Sequence, residues 1–357
     1  MPPLDPAPAL SRFEFWSPRR FYPPVWAWAV LLSIRYGGVR LPLVANPGLP
    51  ASGLVGESKS HVLASAGPKA RRWIAPFTTW TRTAASPGTE AGEALAALHR
   101  AGLALPIVAK PDLGCRGAGV RPVRDRDELE AYLAAFPAGQ TLVLQRLADV
   151  EGEAGVFYIR MPGEETGRIF SLTLKHFPHV IGDGASTLRA LIMADPRAGQ
   201  LAHLYLPRHS DRVDKVVPEG ERLRLAFAGS HSRGAIFRNG ARHITPALER
   251  RFDAIARDLP EFWFGRFDVR FADWEAFLRG EDLTIVEVNG AGAEATHIWD
   301  SRTRLRDAYA TLFRQFALLW RIGAANRRRG FRPEPWHVFL RRWLTERRLV
   351  TAYPPTA

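Results

Sequence analysis

Two short stretches decide the fold: Gly265-Arg266-Phe267-Asp268-Val269-Arg270 and Ile285-Val286-Glu287-Val288-Asn289-Gly290. In both, polar and apolar residues alternate, which is the period of a β-strand with one buried face. Alternation sets Arg266, Asp268 and Arg270 on one face of the first strand, and Glu287 and Asn289 on one face of the second. If the strands are neighbours, Asp268, Glu287 and Asn289 converge as an all-oxygen set. That is the donor type suited to Mg2+ bridging nucleotide phosphates. Arg266 and Arg270 beside them suit an anion or a developing oxyanion. The bland alternative is an ion-pair ladder on a solvated sheet face, although Asn-Gly after a Glu in an apolar strand is an odd choice for solubility alone.

Upstream, Pro106-Ile-Val-Ala-Lys110-Pro-Asp-Leu-Gly114-Cys115-Arg116-Gly117-Ala-Gly119-Val120 reads as a strand ending in a lysine, a glycine-containing loop, and a second strand. Such a loop lets backbone N–H groups approach phosphate oxygens while the lysine supplies a point charge. No Gly-Lys-Ser/Thr follows, so it is not a Walker A loop, and no helix opens on the glycines, so it is not a dinucleotide fingerprint. A plain surface hairpin is the alternative. Leu174-Lys175-His176 precedes a Gly182-Asp183-Gly184 turn, after which Ser186 or Thr187 caps a helix. Gly229-Ser230-His231-Ser232-Arg233-Gly234 is a polar, glycine-bounded loop of the kind that contacts small anions.

Strands are expected at 141–147, 156–161, 169–174, 262–271 and 283–288, with the third following the second as a hairpin around Pro162-Gly163. Helices are expected at about 24–36, from Ser58, and at 89–102, 127–136, 246–259 and 305–321. Helices and strands mix without strict βαβ alternation, so the class is α+β.

With 357 residues and a formal charge of +13, the chain is long enough for two or three lobes and is markedly basic. The positive charge is almost all arginine. The only lysines are Lys59, Lys69, Lys110, Lys175 and Lys215, and no aromatic–basic module of the RNA-binding type appears, so no nucleic-acid partner is expected. Where arginine is used nearly everywhere, a lysine marks a place for a compact ammonium. The single cysteine, Cys115, excludes an intrachain disulfide and fits a reducing compartment. Met1–Leu10 lacks the basic region of a signal peptide. The apolar run Val25–Ile34 is far shorter than the roughly 20 residues needed to span a bilayer, so a buried or interfacial helix is expected there. Near the C-terminus, Trp336, Phe339, Leu340, Trp343 and Leu344 interleave with Arg341, Arg342, Arg347 and Arg348. That pattern is a basic amphipathic helix, for which peripheral membrane contact and docking on the body or a partner subunit are both open.

Taken in order, these pieces resemble the ATP-grasp superfamily, in particular its carboxylate–amine ligases such as D-alanine–D-alanine ligase and the ATP-grasp domain of cyanophycin synthetase. The resemblance runs from about Lys69 to Asn289 and is most specific at Gly265–Asp268 and Glu287–Asn289. It implies two α+β lobes gripping ATP, with 1–66 as an N-terminal substrate-side segment, 67–165 as the central lobe with its lid, 166–325 as the lobe with the metal site, and 326–357 as a basic tail. It also implies ATP and two Mg2+, replaceable by Mn2+, with Asp268, Glu287 and Asn289 as metal ligands. Arg266, with Arg270 beside it, would stabilise the reacting centre.

By the same likeness, Lys69, Lys110 and Lys175 face the nucleotide, and Gly114, Cys115, Arg116, Gly117 and Gly119 form the lid. Gln145, Arg146 and Leu147 lie at the adenine hinge, where the family more often has Glu, and Glu153 lies near the ribose. His231, Ser232 and Arg233 occupy a substrate loop, and Glu57 is placed to bind a substrate ammonium, unless it is only the acidic first turn of a helix. The implied activity is a cytoplasmic, ADP-forming ligase acting on a small carboxylate and an amine, as a monomer or a homodimer. An ATP-grasp phosphotransferase and a nucleotide-binding or membrane-surface protein without ligase activity are the alternatives. Asp268→Asn is expected to nearly abolish ATP turnover and leave the fold intact.

Overall fold

A computed structural model describes residues 1–4, 6–83, 85–115, 117–227, 229–231, 234–354 and 356. The strands are β1 (Phe77–Thr81), β2 (Ile107–Pro111), β3 (Arg121–Val123), β4 (Thr141–Arg146), β5 (Gly152–Ile159), β6 (Arg168–His176), β7 (His179–Ile181), β8 (Arg222–Arg224), β9 (Ile236–Asn239), β10 (Phe264–Phe271) and β11 (Thr284–Asn289). They form a four-stranded sheet ordered β1-β4-β2-β3, a five-stranded sheet ordered β11-β10-β5-β6-β9, and a β7-β8 ribbon. Every pairing within them is antiparallel. The chain is α+β, built as two lobes, one around each of the larger sheets.

The four-stranded sheet is covered by helices Pro87–Arg100 and Arg126–Ala135. Their apolar stripes (Ala91, Ala94, Leu98 and Leu129, Leu133) meet Ile107, Ala109, Leu142 and Leu144. Ser86 and Asp125 cap the two helices by accepting from the N–H groups of Thr89 and Glu128. The five-stranded sheet buries one face under helix Pro246–Arg257, whose Leu248, Phe252 and Ile255 pack on Val156, Tyr158, Phe267 and Val269. Its opposite face is apolar at one end, where Phe157, Ile159 and Phe264 meet Leu318, Leu319 and Ile322 of the long helix Leu305–Arg328. At the other end that face is polar.

The first lobe ends earlier than residue 165. β5 lies at the centre of the larger sheet, between β10 and β6. All eight of its residues are buried, as a central strand requires. The lobes meet where residues 73–76 run along β11 before entering β1: Ala75 N–H donates to Ile285 O and Arg146 N–H donates to Pro76 O.

Helix Pro23–Tyr36 lies on the long helix, burying Val25 and Leu32, and most of its remaining apolar residues face outward. Asn46, fully buried, ties the N-terminal segment to β10 by donating to Phe264 O and accepting from the N–H groups of Trp263 and Phe264. Helix Trp336–Ala352 is docked on the body through the buried Leu349 and through Glu346, which accepts from Gly56 N–H. Among the described residues no helix is long and apolar enough to cross a membrane.

Candidate active site

The polar end of the larger sheet meets the end of β2 from the smaller one, where Lys110 reaches Val286 O. Asp268 on β10 stands directly opposite Glu287 on β11, and Arg266 opposite Asn289. Asn289 Nδ2 donates to Asp268 Oδ2 at 3.2 Å, so the three expected metal ligands do converge. On the next strand Asp268 faces Gly155 and Arg270 faces Glu153. A Cβ at Gly155 would come within 3.1 Å of Arg266 and 3.3 Å of Asp268, so glycine leaves that pair its space.

The carboxylates of this wall are saturated. Asp268 Oδ1 accepts from Lys175 Nζ and Arg266 Nε, both at 2.9 Å, and Oδ2 accepts from Arg266 Nη2 at 3.1 Å. Glu153 takes Lys175 Nζ at 3.0 Å and Arg270 Nε at 2.7 Å. Burial alone would raise the pKa values of both acids. Arg266 and Lys175 instead hold Asp268, and Arg270 and Lys175 hold Glu153, below the usual carboxylate range. Burial works against the Lys175 ammonium too, yet Asp268 and Glu153 outweigh it and raise that pKa. Expected beside the ribose, Glu153 is buried with both oxygens committed to cations. Gly229, from the polar loop, presses on it so closely that a Cβ there would fall onto the carboxylate.

The other lobe contributes Lys110 at the end of β2. Its ammonium donates to Gln145 Oε1 and, on β11 of the larger sheet, to Val286 O, each at 2.8 Å. Burial lowers its pKa to about 8, with Glu287 pulling the other way. Gln145 is itself buried, with Nε2 donating to Ala75 O, so it fixes the lysine. Arg146 is exposed beyond it and Leu147 is half-buried where the chain leaves the smaller sheet.

The loop after β2 is held on two sides. Lys59 Nζ donates to Gly114 O at 2.6 Å and Asp112 Oδ1 accepts from Ser60 N–H. From the C-terminus, Tyr353 OH donates to Leu113 O at 2.7 Å and Thr356 Oγ1 donates to Gly117 O at 2.8 Å. Tyr353 also stacks on Phe136 at 5.3 Å and lies against Gly119. Cys115 is exposed in this loop. Arg116, Ser232 and Arg233 lie outside the described residues.

Glu57 sits against Gly53 and Gly290, next to Asn289. Gly290 N–H reaches its Oε2 only at 3.5 Å, and Oε1 is buried with no partner. Burial raises its pKa to about 7. Two expected residues are not brought to this cluster. Lys69 is exposed on a short helix, Pro68–Arg71, that packs against helix Pro246–Arg257 behind the sheet. His231 is stacked between Phe15 and Trp299, one ring beyond Phe237. Burial pushes its pKa down to about 3, so the ring is held neutral among these aromatics.

Sequence reasoning missed the rest of the polar face. Thr173 and Ser171 continue the Lys175 row along β6, and they meet Thr296 and His297 at 3.1 and 2.9 Å. The alternation Ser171-Leu-Thr173-Leu-Lys175 carried that signal. Glu294, whose main-chain oxygen accepts from Arg266 Nη1, and Arg224, which stacks on Phe177 with Arg270 on the same ring, carried none.

No protein-family model and no curated protein matches this chain. Among solved structures it is similar to a bifunctional glutathione synthetase from Pasteurella multocida, at 15% identity and a TM-score of 0.34, over 74% of this chain and 38% of that one. It is also similar to the D-cycloserine synthetase DcsG, at 14% identity and a TM-score of 0.37, over 75% of this chain and 73% of that one.

Proposed function

We propose that this chain is an ATP- and magnesium-dependent, ADP-forming ligase that joins a small carboxylate to an amine through an acyl phosphate, with a site laid out like that of D-alanine–D-alanine ligase. One observation carries the reading: Asp268 and Asn289 touch on adjacent strands with Glu287 paired opposite Asp268, and Lys110, Lys175, Arg266 and Arg270 gather at the same end of the sheet.

The donor set fits magnesium. Among the described residues there is no cage of three or more His, Cys, Asp or Glu. Magnesium bridging phosphates needs only one or two protein carboxylates, the remaining positions going to water and phosphate oxygen. Glu287 and Asp268 would be those carboxylates and Asn289 the third donor. Asp268 would exchange one of its present cationic partners on binding. Magnesium held there supplies charge neutralisation of the triphosphate and polarises its γ-phosphoryl group.

The chain's own groups do the rest. Lys110, positioned by Gln145, carries positive charge to the phosphates below its pKa of about 8. A carboxylate oxygen of the substrate attacks the γ-phosphorus and the bond to ADP breaks. The amine then attacks the acyl carbon, phosphate leaves, and the surplus proton passes to solvent. Arg266 lies where an oxyanion can be stabilised. The loop after β2 would close over the bound nucleotide and keep water from the acyl phosphate. Glu57, with one buried oxygen unfilled, takes a substrate ammonium as its missing partner.

The test is ADP and phosphate release from Mg·ATP by the purified protein, against pools of amino acids, hydroxy acids and amines, with mass detection of products. ADP formation that requires both a carboxylate and an amine, with a new condensed mass, supports the ligase. A phosphorylated product formed without an amine would replace it with a phosphotransferase. No ATP binding would end the reading.

A further inference from the structure

We propose that helices Pro23–Tyr36 and Trp336–Ala352 together form a surface that binds the face of an anionic lipid bilayer.

A helix on a globular protein normally turns its apolar stripe inward. Here two helices turn theirs outward. On the first, Trp26, Val30, Leu31 and Ile34 are exposed, Ile34 at 74%. On the second, Trp336, Leu340, Trp343 and Leu344 are exposed at spacings of four, seven and eight residues, Leu344 at 57%. Exposed large apolar side chains grouped in this way mark an interaction surface. The two helices are tied at one junction. Arg327, in the last turn of the long helix, donates to Tyr36 O and Gly37 O, and Arg40 donates to Glu334 O just before Trp336. Val39, between them, is exposed as well.

Charge selects the occupant. Residues 15–56 contain no Asp or Glu, and Arg19, Arg20, Arg35 and Arg40 flank the first helix. From residue 308 to the end there are ten arginines and two glutamates. Both glutamates are engaged within the protein, Glu334 by Arg342 and Glu346 by Gly56 N–H. Arg341, Arg347 and Arg348 are exposed beside the apolar stripe. A second copy would bring the same cations face to face, in a chain already at +13. A nucleic acid would satisfy the arginines but leave Val30, Leu31, Ile34, Leu340 and Leu344 in water. An anionic bilayer satisfies both: aliphatic and Trp side chains enter the interface while arginines reach the headgroups. With no spanning helix among the described residues, the chain would lie on the surface.

The experiment is flotation of the full-length protein with phosphatidylglycerol vesicles and with phosphatidylcholine vesicles. The partner measurement uses the double variant Ile34→Glu with Leu344→Glu. Both sites are exposed, so the fold should survive, which a urea midpoint checks. Binding to the anionic vesicles, weakened by salt and reduced about 100-fold in the double variant, is the expected result. Equal partition of the double variant, or no vesicle binding by the full chain, overturns it. So does light scattering that shows a dimer the double variant dissociates, or oligonucleotide binding that the double variant loses.

Discussion

The two sides of the site treat charge in opposite ways. On β5, β6 and β10 the charges close on themselves: every oxygen of Asp268 and Glu153 accepts from Lys175, Arg266 or Arg270. At β11 and the segment before helix Lys59–Ala64, oxygens are left over. Glu57 Oε1 is buried with no partner, and among the described residues the Glu287 carboxylate has neither a hydrogen bond nor an ion pair, and feels the charge of Lys110 at longer range. A saturated network is rigid and tolerates little change. An unsaturated wall holds weak local interactions and gains most from a ligand. The first wall therefore serves as the frame, and the second is where bound groups find their partners.

Asp268→Asn breaks the frame. It leaves Lys175 and Arg266 buried with less countercharge, which costs about 3 kcal/mol of stability in urea unfolding. The fold is still expected to form, at a stability lowered by the loss of charge from the buried ion pairs. Unchanged stability would mean that the network contributes nothing. Glu287→Gln is the cleaner probe of the site. It breaks no hydrogen bond and weakens the countercharge of Lys110, so stability should fall by about 1 kcal/mol or less. ATP turnover should nevertheless fall about 100-fold. Full turnover in that variant removes Glu287 from the proposed metal set.

Glu57→Gln sharpens the contrast through pH. The folded-state pKa of Glu57 is raised from 4.5 to about 7 by burial. The folded protein therefore holds a proton that the unfolded chain releases, and stability falls as pH rises between those values. The glutamine variant lacks that loss, so it should be about 3 kcal/mol more stable than the parent at pH 8 and nearly level with it at pH 4.5. Parallel pH profiles for the two proteins would show that the carboxylate is not strained.

These differences also explain what the sequence could reveal. Asp268, Glu287, Asn289 and Arg266 were legible because strand alternation is local and the two strands are close neighbours in the sequence. Lys110 was legible because it ends a strand before a glycine loop. The partners of Lys175 were not: Asp268 lies 93 residues away and Glu153 lies 22. Only the register of three strands brings them together. Lys69 was over-read for the opposite reason, since a lysine in an arginine-rich chain looks assigned even when, as here, it is exposed behind the sheet. The apolar run of Pro23–Tyr36 announced a helix correctly. Which of its residues face outward depends on the helix Leu305–Arg328, nearly 300 residues later.

The weakest expected effect lies at the rim, where the C-terminus touches the loop that would close over the site. Tyr353 contributes a ring stacked on Phe136 and a hydrogen bond to Leu113 O, and Thr356 adds one to Gly117 O. If these contacts hold the loop, removing them should let it open more often without unfolding the lobe. Cys115 reports on this directly, because it is the only cysteine and lies within the loop. Tyr353→Ala should raise the rate of Cys115 modification by a small thiol reagent about fivefold. Tyr353→Phe keeps the ring stack and loses only the hydrogen bond, so it should fall between the parent and the alanine variant. Three equal rates would mean that the loop opens independently of the tail. A graded series would show that the rim, like the β11 wall, is held by contacts weak enough for a ligand to compete with.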